Sequence, residues 1–217
     1  MFPSHDRGAG TATAALAAGG NPPITAANES WNGSTWTEVA DLNTARFGMS
    51  QSGTQTSSVV FGGFKPAAAG ETEVWNGTSF SEDGDMSTGR GYGGGSGSSN
   101  ASALAVGGES PPKVGVTEEF TGAGANVGGW STGGNLNTAR ASAAAAGDAT
   151  EALVFGGYTA TATVANAEFY DGSSFTEVGD LNNAREFIAG CGTSTAALGF
   201  GGGNSPSQLA NTETWGS

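Results

Sequence analysis

Residues 29–46 read Glu29-Ser-Trp-Asn-Gly-Ser-Thr-Trp-Thr-Glu-Val-Ala-Asp-Leu-Asn-Thr-Ala-Arg46, and this stretch recurs along the chain. Similar copies begin at Glu73, Glu118 and Glu168, and a shorter copy begins at Glu213. A short apolar run closed by a glycine pair separates successive copies, and the period is about 45 residues. Units of this length bury their surfaces against neighbouring units, as in propellers and solenoids. The sequence therefore predicts a repeat architecture.

The repeat from Arg46 to Arg90 shows how one unit is built. Two β-prone runs, 47–52 and 57–61, flank a small polar turn and predict a first hairpin. A second hairpin is predicted around Asn76-Gly77, because both central positions of a type I′ turn need a positive φ. Four antiparallel strands joined in this way form one blade. The Ala-rich runs 12–18 and 141–146 align with first hairpins, so we expect strands there despite the helix propensity of alanine.

Residue size varies along each repeat in the way that a wedge-shaped blade requires. The first strands are built from Gly and Ala, as in 91–97 and 141–147, which suits the crowded axis of a propeller. Larger aromatic pairs flank the second turn, where they can pack against the next blade. These pairs are Trp31 with Trp36, Trp75 with Phe80, and Tyr170 with Phe175.

The repeats predict a single all-β propeller domain over residues 1–217, with five blades at approximately 1–45, 46–89, 90–139, 140–184 and 185–217. The fifth blade should lack its outermost strand, because its copy of the repeat stops after Trp215. The third copy departs from the pattern. Between Phe120 and Trp130 it carries an insertion that predicts a longer hairpin tip.

Four elements occur in a fixed order in these repeats: a Gly pair after an apolar strand, an aromatic before a turn, a Trp or Phe after it, and a period near 45 to 50 residues. This pattern resembles the kelch repeat, and the resemblance covers essentially the whole chain. It implies a kelch-type β-propeller. The runs Trp-Asn-Gly-Ser-Thr-Trp-Thr-Glu-Val and Leu-Asn-Thr-Ala-Arg look most like the divergent kelch-like repeats of bacterial and phage proteins.

Composition argues against several classes of function. The formal net charge of −13 would repel a nucleic acid backbone, so we expect no nucleic acid partner. The N-terminal sequence has neither a signal peptide pattern nor an apolar run long enough to span a membrane, so we expect no membrane insertion. With His5 as the single histidine and Cys191 as the single cysteine, we expect no metal site, no cofactor and no catalytic residues. Cys191 aligns with small residues of other repeats and is predicted to be an inert buried thiol.

Four of the seven basic residues recur at one position of the repeat, and they allow two interpretations. They are Arg46, Arg90, Arg140 and Arg185. In the structural interpretation each arginine ties neighbouring blades together, with the repeated glutamates as partners. In the functional interpretation the arginines form a ring that faces an anionic ligand.

The loops after the Gly pairs differ most between repeats and contain six of the seven prolines and both lysines. Variable, stiffened loops on one rim of a rigid scaffold are a usual place for recognition. Neutral drift in exposed loops would give the same pattern. The candidate binding residues are Pro22, Phe64, Lys65, Lys113, Tyr158 and Asn204.

These features predict a non-catalytic binding or structural module, in a phage virion, an appendage or another surface-exposed location. The partner at the loop rim would be a protein or a glycan. The alternative is a lectin-type propeller, with Trp31, Trp75 and Tyr170 as residues that stack on sugars. The unpaired edge of the last strand, Asn211–Trp215, is predicted to pair with a further strand, either from another subunit or from sequence beyond residue 217.

Overall fold

The computed structural model describes residues 7–122 and 128–216. Their regular elements are β-strands. These residues form no helix, so none of their segments is a helix long and apolar enough to cross a membrane.

The strands form five antiparallel sheets, which follow one another along the chain. The first sheet contains β1 (Arg7–Thr11), β2 (Ala14–Gly20), β3 (Thr25–Trp31) and β4 (Trp36–Val39). The second contains β5 (Ser50–Thr54), β6 (Ser57–Phe61), β9 (Thr72–Trp75) and β10 (Phe80–Asp83), with β7 (Phe64–Lys65) and β8 (Ala67–Ala68) as a small separate hairpin. The third contains β11 (Gly94–Ser99), β12 (Ser102–Val106), β13 (Thr117–Thr121) and β14 (Gly129–Thr132). The fourth contains β15 (Ala144–Gly147), β16 (Ala152–Phe155), β17 (Ala167–Tyr170) and β18 (Phe175–Val178).

The fifth sheet has three strands, β19 (Ala189–Gly192), β20 (Ala196–Phe200) and β23 (Thr212–Gly216), beside a small hairpin of β21 (Gly203–Asn204) and β22 (Ser207–Gln208). Four strands per complete repeat, and three in the last, confirm the sequence prediction. The Ala-rich runs form strands, as expected from the repeat. The predicted longer tip of the third repeat falls largely on residues 123–127, outside the described residues.

The second hairpin turn differs from the predicted type I′ turn. Trp31 pairs with Trp36, which leaves a four-residue loop between the strands, and only its glycine, Gly33, has a positive φ, of 94°. The side-chain oxygen of Asn32 accepts hydrogen bonds from the N–H groups of Ser34 and Thr35, at 3.0 and 2.9 Å. An Asx side chain that caps the loop in this way removes the need for a positive φ at the first position.

The chain divides into two compact units, and the first consists of the described parts of Met1–Gly91, Ser98–Ala103 and Phe120–Trp130. In its core, Leu16 and Leu42 of the first repeat pack with Val60, Trp75 and Phe80 of the second. The Trp75 and Phe80 rings lie 4.9 Å apart, and both are buried. The face of the first sheet that carries Leu16 therefore packs on the face of the second sheet that carries Trp75 and Phe80.

The second unit consists of the described parts of Tyr92–Gly97, Leu104–Glu119 and Ser131–Ser217, and its core follows the same rule. Leu104 and Leu136 of the third repeat pack with Tyr170 and Phe175 of the fourth, whose rings lie 4.7 Å apart. These two pairs confirm the prediction that aromatics flanking the second turn pack between blades. The pair Trp31–Trp36 differs, because Trp36 is 41 % exposed.

The glycine pairs bring successive repeats into backbone contact. The second glycine of each of the first four pairs donates its N–H to the carbonyl oxygen of the next repeat arginine, at 2.8 to 3.1 Å. A Cβ atom on the first glycine of these pairs would lie 2.4 to 2.7 Å from that same oxygen, which is too close for any side chain. The fifth pair differs, since no described atom lies within 4 Å of a Cβ built on Gly201.

We predict that Gly156→Ala destabilises the protein more than Gly201→Ala does. Both glycines have a φ of 67°, so both variants carry the left-handed strain of about 1 to 2 kcal/mol. Only the Gly156 variant also forces a Cβ to within 2.7 Å of the Arg185 oxygen, which should add about 1 to 3 kcal/mol. Urea unfolding of the two variants measures the difference. Equal midpoints would show that the short distance from position 156 to the Arg185 oxygen is not the reason why glycine is required there.

Candidate functional site

The repeated arginine and glutamate form a buried ion pair that also holds the loop between two sheets. Arg46 lies in the segment after β4, and its Nη1 is 3.0 Å from Oε1 of Glu73 on β9. Oε2 of Glu73 accepts hydrogen bonds from the backbone N–H and the side-chain amide of Asn43, at 2.7 and 3.0 Å. Both charged side chains are fully buried. We call this arrangement of glutamate, asparagine and arginine the glutamate latch.

The glutamate latch recurs in the fourth and fifth repeats. In the fourth repeat, Glu168 is 3.0 Å from Nη1 of Arg140 and accepts hydrogen bonds from Asn137 at 2.7 and 3.0 Å. In the fifth repeat, Glu213 is 2.5 Å from Nη2 of Arg185 and accepts hydrogen bonds from Asn182 at 2.6 and 2.8 Å. The latch of the fifth repeat is less covered, because 11 % of the Glu213 side chain is exposed.

Burial shapes the electrostatics of these latches. Desolvation lowers the pKa values of Arg46 and Arg140, and the facing glutamates Glu73 and Glu168 oppose that shift. At Glu213, burial acts to raise the pKa, but the hydrogen bonds from Asn182 and the charge of Arg185 outweigh it, so the pKa is lowered. The carboxylate of Glu213 is thereby held ionised beside Arg185.

All four repeat arginines are at least 97 % buried. Arg90 donates a hydrogen bond from Nη1 to the carbonyl oxygen of Thr88, at 3.1 Å. A guanidinium that is buried in this way does not present its charge to a ligand in solvent. The geometry therefore favours the structural interpretation of the arginines over an anion-binding ring.

In the first unit, the candidate loop residues after β6 are partly covered by their neighbours. Phe64 is half-buried and packs on Phe47, with ring centroids 5.6 Å apart. Lys65 forms an ion pair with Glu71. Pro22 is exposed in its own loop after β2.

In the second unit, the structure brings two candidate loop residues together. Nζ of Lys113 lies 4.7 Å from the centre of the Tyr158 ring and 3.4 Å from a carboxylate oxygen of Glu109. A lysine over a tyrosine ring is a cation–π contact, which links the loops of the third and fourth repeats. Asn204 is exposed, at the end of β21 in the β21–β22 hairpin.

Three residues, each two positions after a repeat arginine, have a strained backbone that was not predicted from the sequence. Tyr92, Ser142 and Phe187 have φ values of 55°, 58° and 53°. The N–H of Ser142 donates to the carbonyl oxygen of Tyr92 at 2.6 Å, and the N–H of Phe187 donates to that of Ser142 at 3.0 Å. The signal that could have revealed the series is Gly48, which stands at the same position of the second repeat with a φ of 64°.

Phe187 is the most exposed large hydrophobic side chain of the described residues, at 50 %. Its ring lies edge-on to Tyr92, with centroids 6.0 Å apart. A cleft of about 250 Å³ beside it is lined by Glu186, Phe187, Gly203, Ser205, Pro206 and Gln208. The cleft thus combines an aromatic face with a carboxylate, a hydroxyl and an amide.

The prediction of a buried Cys191 is wrong, because its side chain is exposed. The equivalent residues Ser52, Ser96 and Ala146 are all buried. Cys191 pairs with Leu198 across the β19–β20 ladder, and the face of the fifth sheet that carries Leu198 also carries Phe200, which is 40 % exposed. The thiol is exposed together with this face. In the ranges 7–122 and 128–216, no cluster of three or more His, Cys, Asp or Glu residues could hold a metal ion.

The carboxylate of Asp171 caps the second turn of the fourth repeat. It accepts hydrogen bonds from the N–H groups of Ser173 and Ser174, at 2.9 and 2.8 Å, and these bonds lower its pKa to about 2. A lowered folded-state pKa contributes stability above the unfolded value of about 3.9 that is lost as the pH falls toward 2.

We predict that Asp171→Asn leaves the turn intact and removes this part of the pH dependence. Asn32 and Asn76 occupy the same position in other repeats and make the same hydrogen bonds. Thermal midpoints of the wild type and the variant should converge as the pH is lowered from about 4 to 2. A constant difference across that range would contradict the assignment.

Comparisons with known proteins support the fold. No protein family model matches the chain, and no curated protein matches it. The chain is similar to the solved structure of YjhT, with a TM-score of 0.77 and 11 % sequence identity over 96 % of this chain and 80 % of that one. At this identity the similarity shows the fold alone. The protein is a five-bladed β-propeller, as the repeats predicted, and this fold is compatible with a binding or structural module.

Proposed function

We propose that the protein is a non-catalytic, kelch-like propeller that serves as a binding or structural module. The contrast between constant and variable parts of the repeat carries this proposal. Repeated charged residues such as Arg46 and Glu73 form the buried ion pairs of the glutamate latches, so their role is structural. The differences between repeats are concentrated in loops such as those of Lys65 and Lys113, on the surface where recognition usually occurs.

The assembly that would use such a module is a phage virion, an appendage or another exposed surface structure. Support for this location comes from the likeness of the repeats to the kelch-like repeats of bacterial and phage proteins. Quantitative mass spectrometry of purified particles, against the soluble fraction of the same culture, tests it. We expect a fixed copy number per particle that survives a high-salt wash. A protein that stays in the soluble fraction would refute the virion role.

A glycan-binding function is the second candidate, and the cleft beside Phe187 favours it. Two of the predicted stacking residues are unsuitable, because Trp75 and Tyr170 are 2 % and 0 % exposed and lie between sheets. Phe187 instead offers an exposed ring, and Glu186 and Gln208 offer hydrogen-bonding groups for sugar hydroxyls.

A glycan array separates the two candidates. Binding of a defined sugar by the wild type, lost in Phe187→Ala and retained in Trp36→Ala, would support the lectin function. Trp36 is a suitable control because it is another exposed aromatic, 41 % accessible, outside the cleft. The absence of any reproducible sugar binding would leave the protein-binding proposal as the better one.

A further inference from the structure

The cleft beside Phe187 is open because the fifth repeat has a glycine where the second repeat has a phenylalanine. Gly203 forms an isolated β-bridge with Glu186. At the corresponding bridge of the second repeat, the ring of Phe64 packs on that of Phe47, with centroids 5.6 Å apart. Gly203 has no side chain to pack in this way, so the space beside Glu186 forms part of the cleft.

The charge of the cleft selects the class of ligand. Among the described residues that line it, Glu186 has the one ionisable side chain, and the whole chain has a formal net charge of −13. The adjacent Arg185 pairs with Glu213 and donates from Nη1 to the carbonyl oxygen of Gly201, at 3.2 Å. A positively charged ligand therefore suits the cleft better than an anion does.

The ring of Phe187 adds a second feature that attracts cations. Half of its surface is exposed, and the ring of Tyr92 stands perpendicular to it, with centroids 6.0 Å apart. A cation within about 6 Å of the centre of an aromatic ring is attracted to the face of that ring. An exposed ring beside a carboxylate can therefore bind an organic cation through both groups.

A lysine of the same unit already shows this arrangement. Nζ of Lys113 lies 4.7 Å from the centre of the Tyr158 ring and 3.4 Å from a carboxylate oxygen of Glu109. In the fifth repeat the place of Lys113 is taken by Gln208, because each of the two residues pairs with the residue that follows the glycine pair of its own repeat. The cleft thus has a ring and a carboxylate, but a neutral amide in place of the lysine.

We propose that the cleft binds the side chain of a lysine on a partner protein, with the ammonium group between the Glu186 carboxylate and the Phe187 ring. An ammonium group has three N–H donors, and the cleft offers three side-chain oxygens as acceptors, on Glu186, Ser205 and Gln208. This inference rests on the proposed binding function and names the group that the partner presents to the fifth blade.

Two small probes test the proposal. Nα-acetyl-lysine amide carries the ammonium group, and Nα-acetyl-norleucine amide has the same four-carbon side chain without it. Titrations of the full chain, followed by NMR, give both dissociation constants. We expect the lysine probe to bind about three- to tenfold more tightly at low salt, with the largest shifts at residues 186–187 and 203–208. The difference should shrink as salt is added, because salt screens the carboxylate.

Variants of the protein locate the binding. Phe187→Leu keeps an apolar side chain and removes the ring, and Glu186→Gln removes the charge at nearly constant shape. Each should reduce the preference for the lysine probe to about twofold or less. Glu177→Gln is the matched control, because it makes the same charge change at an exposed residue of the fourth blade and should leave the preference unchanged.

Equal affinities for the two probes, or no binding of either, would overturn the proposal, as would an unchanged preference in both cleft variants. Glucosamine provides a further comparison. If it binds at residues 186–187 more tightly than the lysine probe, the ligand is an amino sugar and the glycan-binding candidate replaces this proposal. The particle localisation described above is an independent measurement. A protein found in particles that does not distinguish the two probes would retain the proposed function and lose this ligand.

Discussion

Glu168→Gln should destabilise the protein by about 3 to 5 kcal/mol, because it leaves the Arg140 guanidinium buried without a counter-charge. The pair is fully buried, with a nitrogen–oxygen distance of 3.0 Å, so water cannot replace the missing carboxylate. The change also weakens the hydrogen bonds from Asn137 that hold the loop between the third and fourth sheets. Chemical denaturation measures the loss as a lower midpoint at unchanged slope.

Glu177→Gln is the matched control for this prediction. Glu177 lies directly opposite Glu168 on β18 but is exposed, so its replacement should change stability by less than about 0.5 kcal/mol. The double variant Arg140→Met with Glu168→Leu should lose less stability than the two single changes together, since it leaves no unpaired buried charge. If Glu168→Gln and Glu177→Gln unfold at the same midpoint, the glutamate latch does not stabilise the fold.

Much of the fold could be predicted because the same sequence pattern recurs in each repeat. The alternation of small, apolar and aromatic runs located the strands, and repetition overruled the helix propensity of residues 141–146, which contribute to β15. The ion pair of Arg46 with Glu73 could also be predicted, because both residues recur with the same period. The type of the second turn could not be predicted, because the sequence Asn-Gly fits both a type I′ turn and the observed loop. Only the side-chain hydrogen bonds of Asn32 distinguish the two.

The candidate cleft could not be predicted, because it depends on what does not repeat. Phe187 occupies a position that is Gly48, Tyr92 or Ser142 in other copies, so no residue type marks it. Its exposure depends on the packing of its neighbours, as does the exposure of Cys191. The repeat pattern predicts the backbone path of each blade, but it does not predict which side chains of the fifth blade are exposed.

Trp75→Ala should destabilise the protein by about 3 to 5 kcal/mol, as large aromatic truncations in cores do. Trp75 is 2 % exposed and packs with Leu16 and Phe80 at the junction of the first two sheets. Its indole N–H donates to the carbonyl oxygen of Gln55 at 2.9 Å, so the truncation also leaves a partly buried acceptor without this partner. Trp75→Phe should recover most of the packing and lose only about 0.5 to 1.5 kcal/mol through the missing hydrogen bond.

Two exposed side chains provide the controls for Trp75→Ala. Trp36→Ala removes a tryptophan that is 41 % exposed and should cost clearly less than Trp75→Ala, because that ring gains less from burial. Lys65→Ala removes a surface ion pair with Glu71 and should change stability by less than about 0.5 kcal/mol. All four variants can be compared by their denaturant midpoints. Similar midpoints for Trp75→Ala and Lys65→Ala would mean that the aromatic layer between the blades does not hold them together, because a core truncation would then cost no more than the loss of a surface charge.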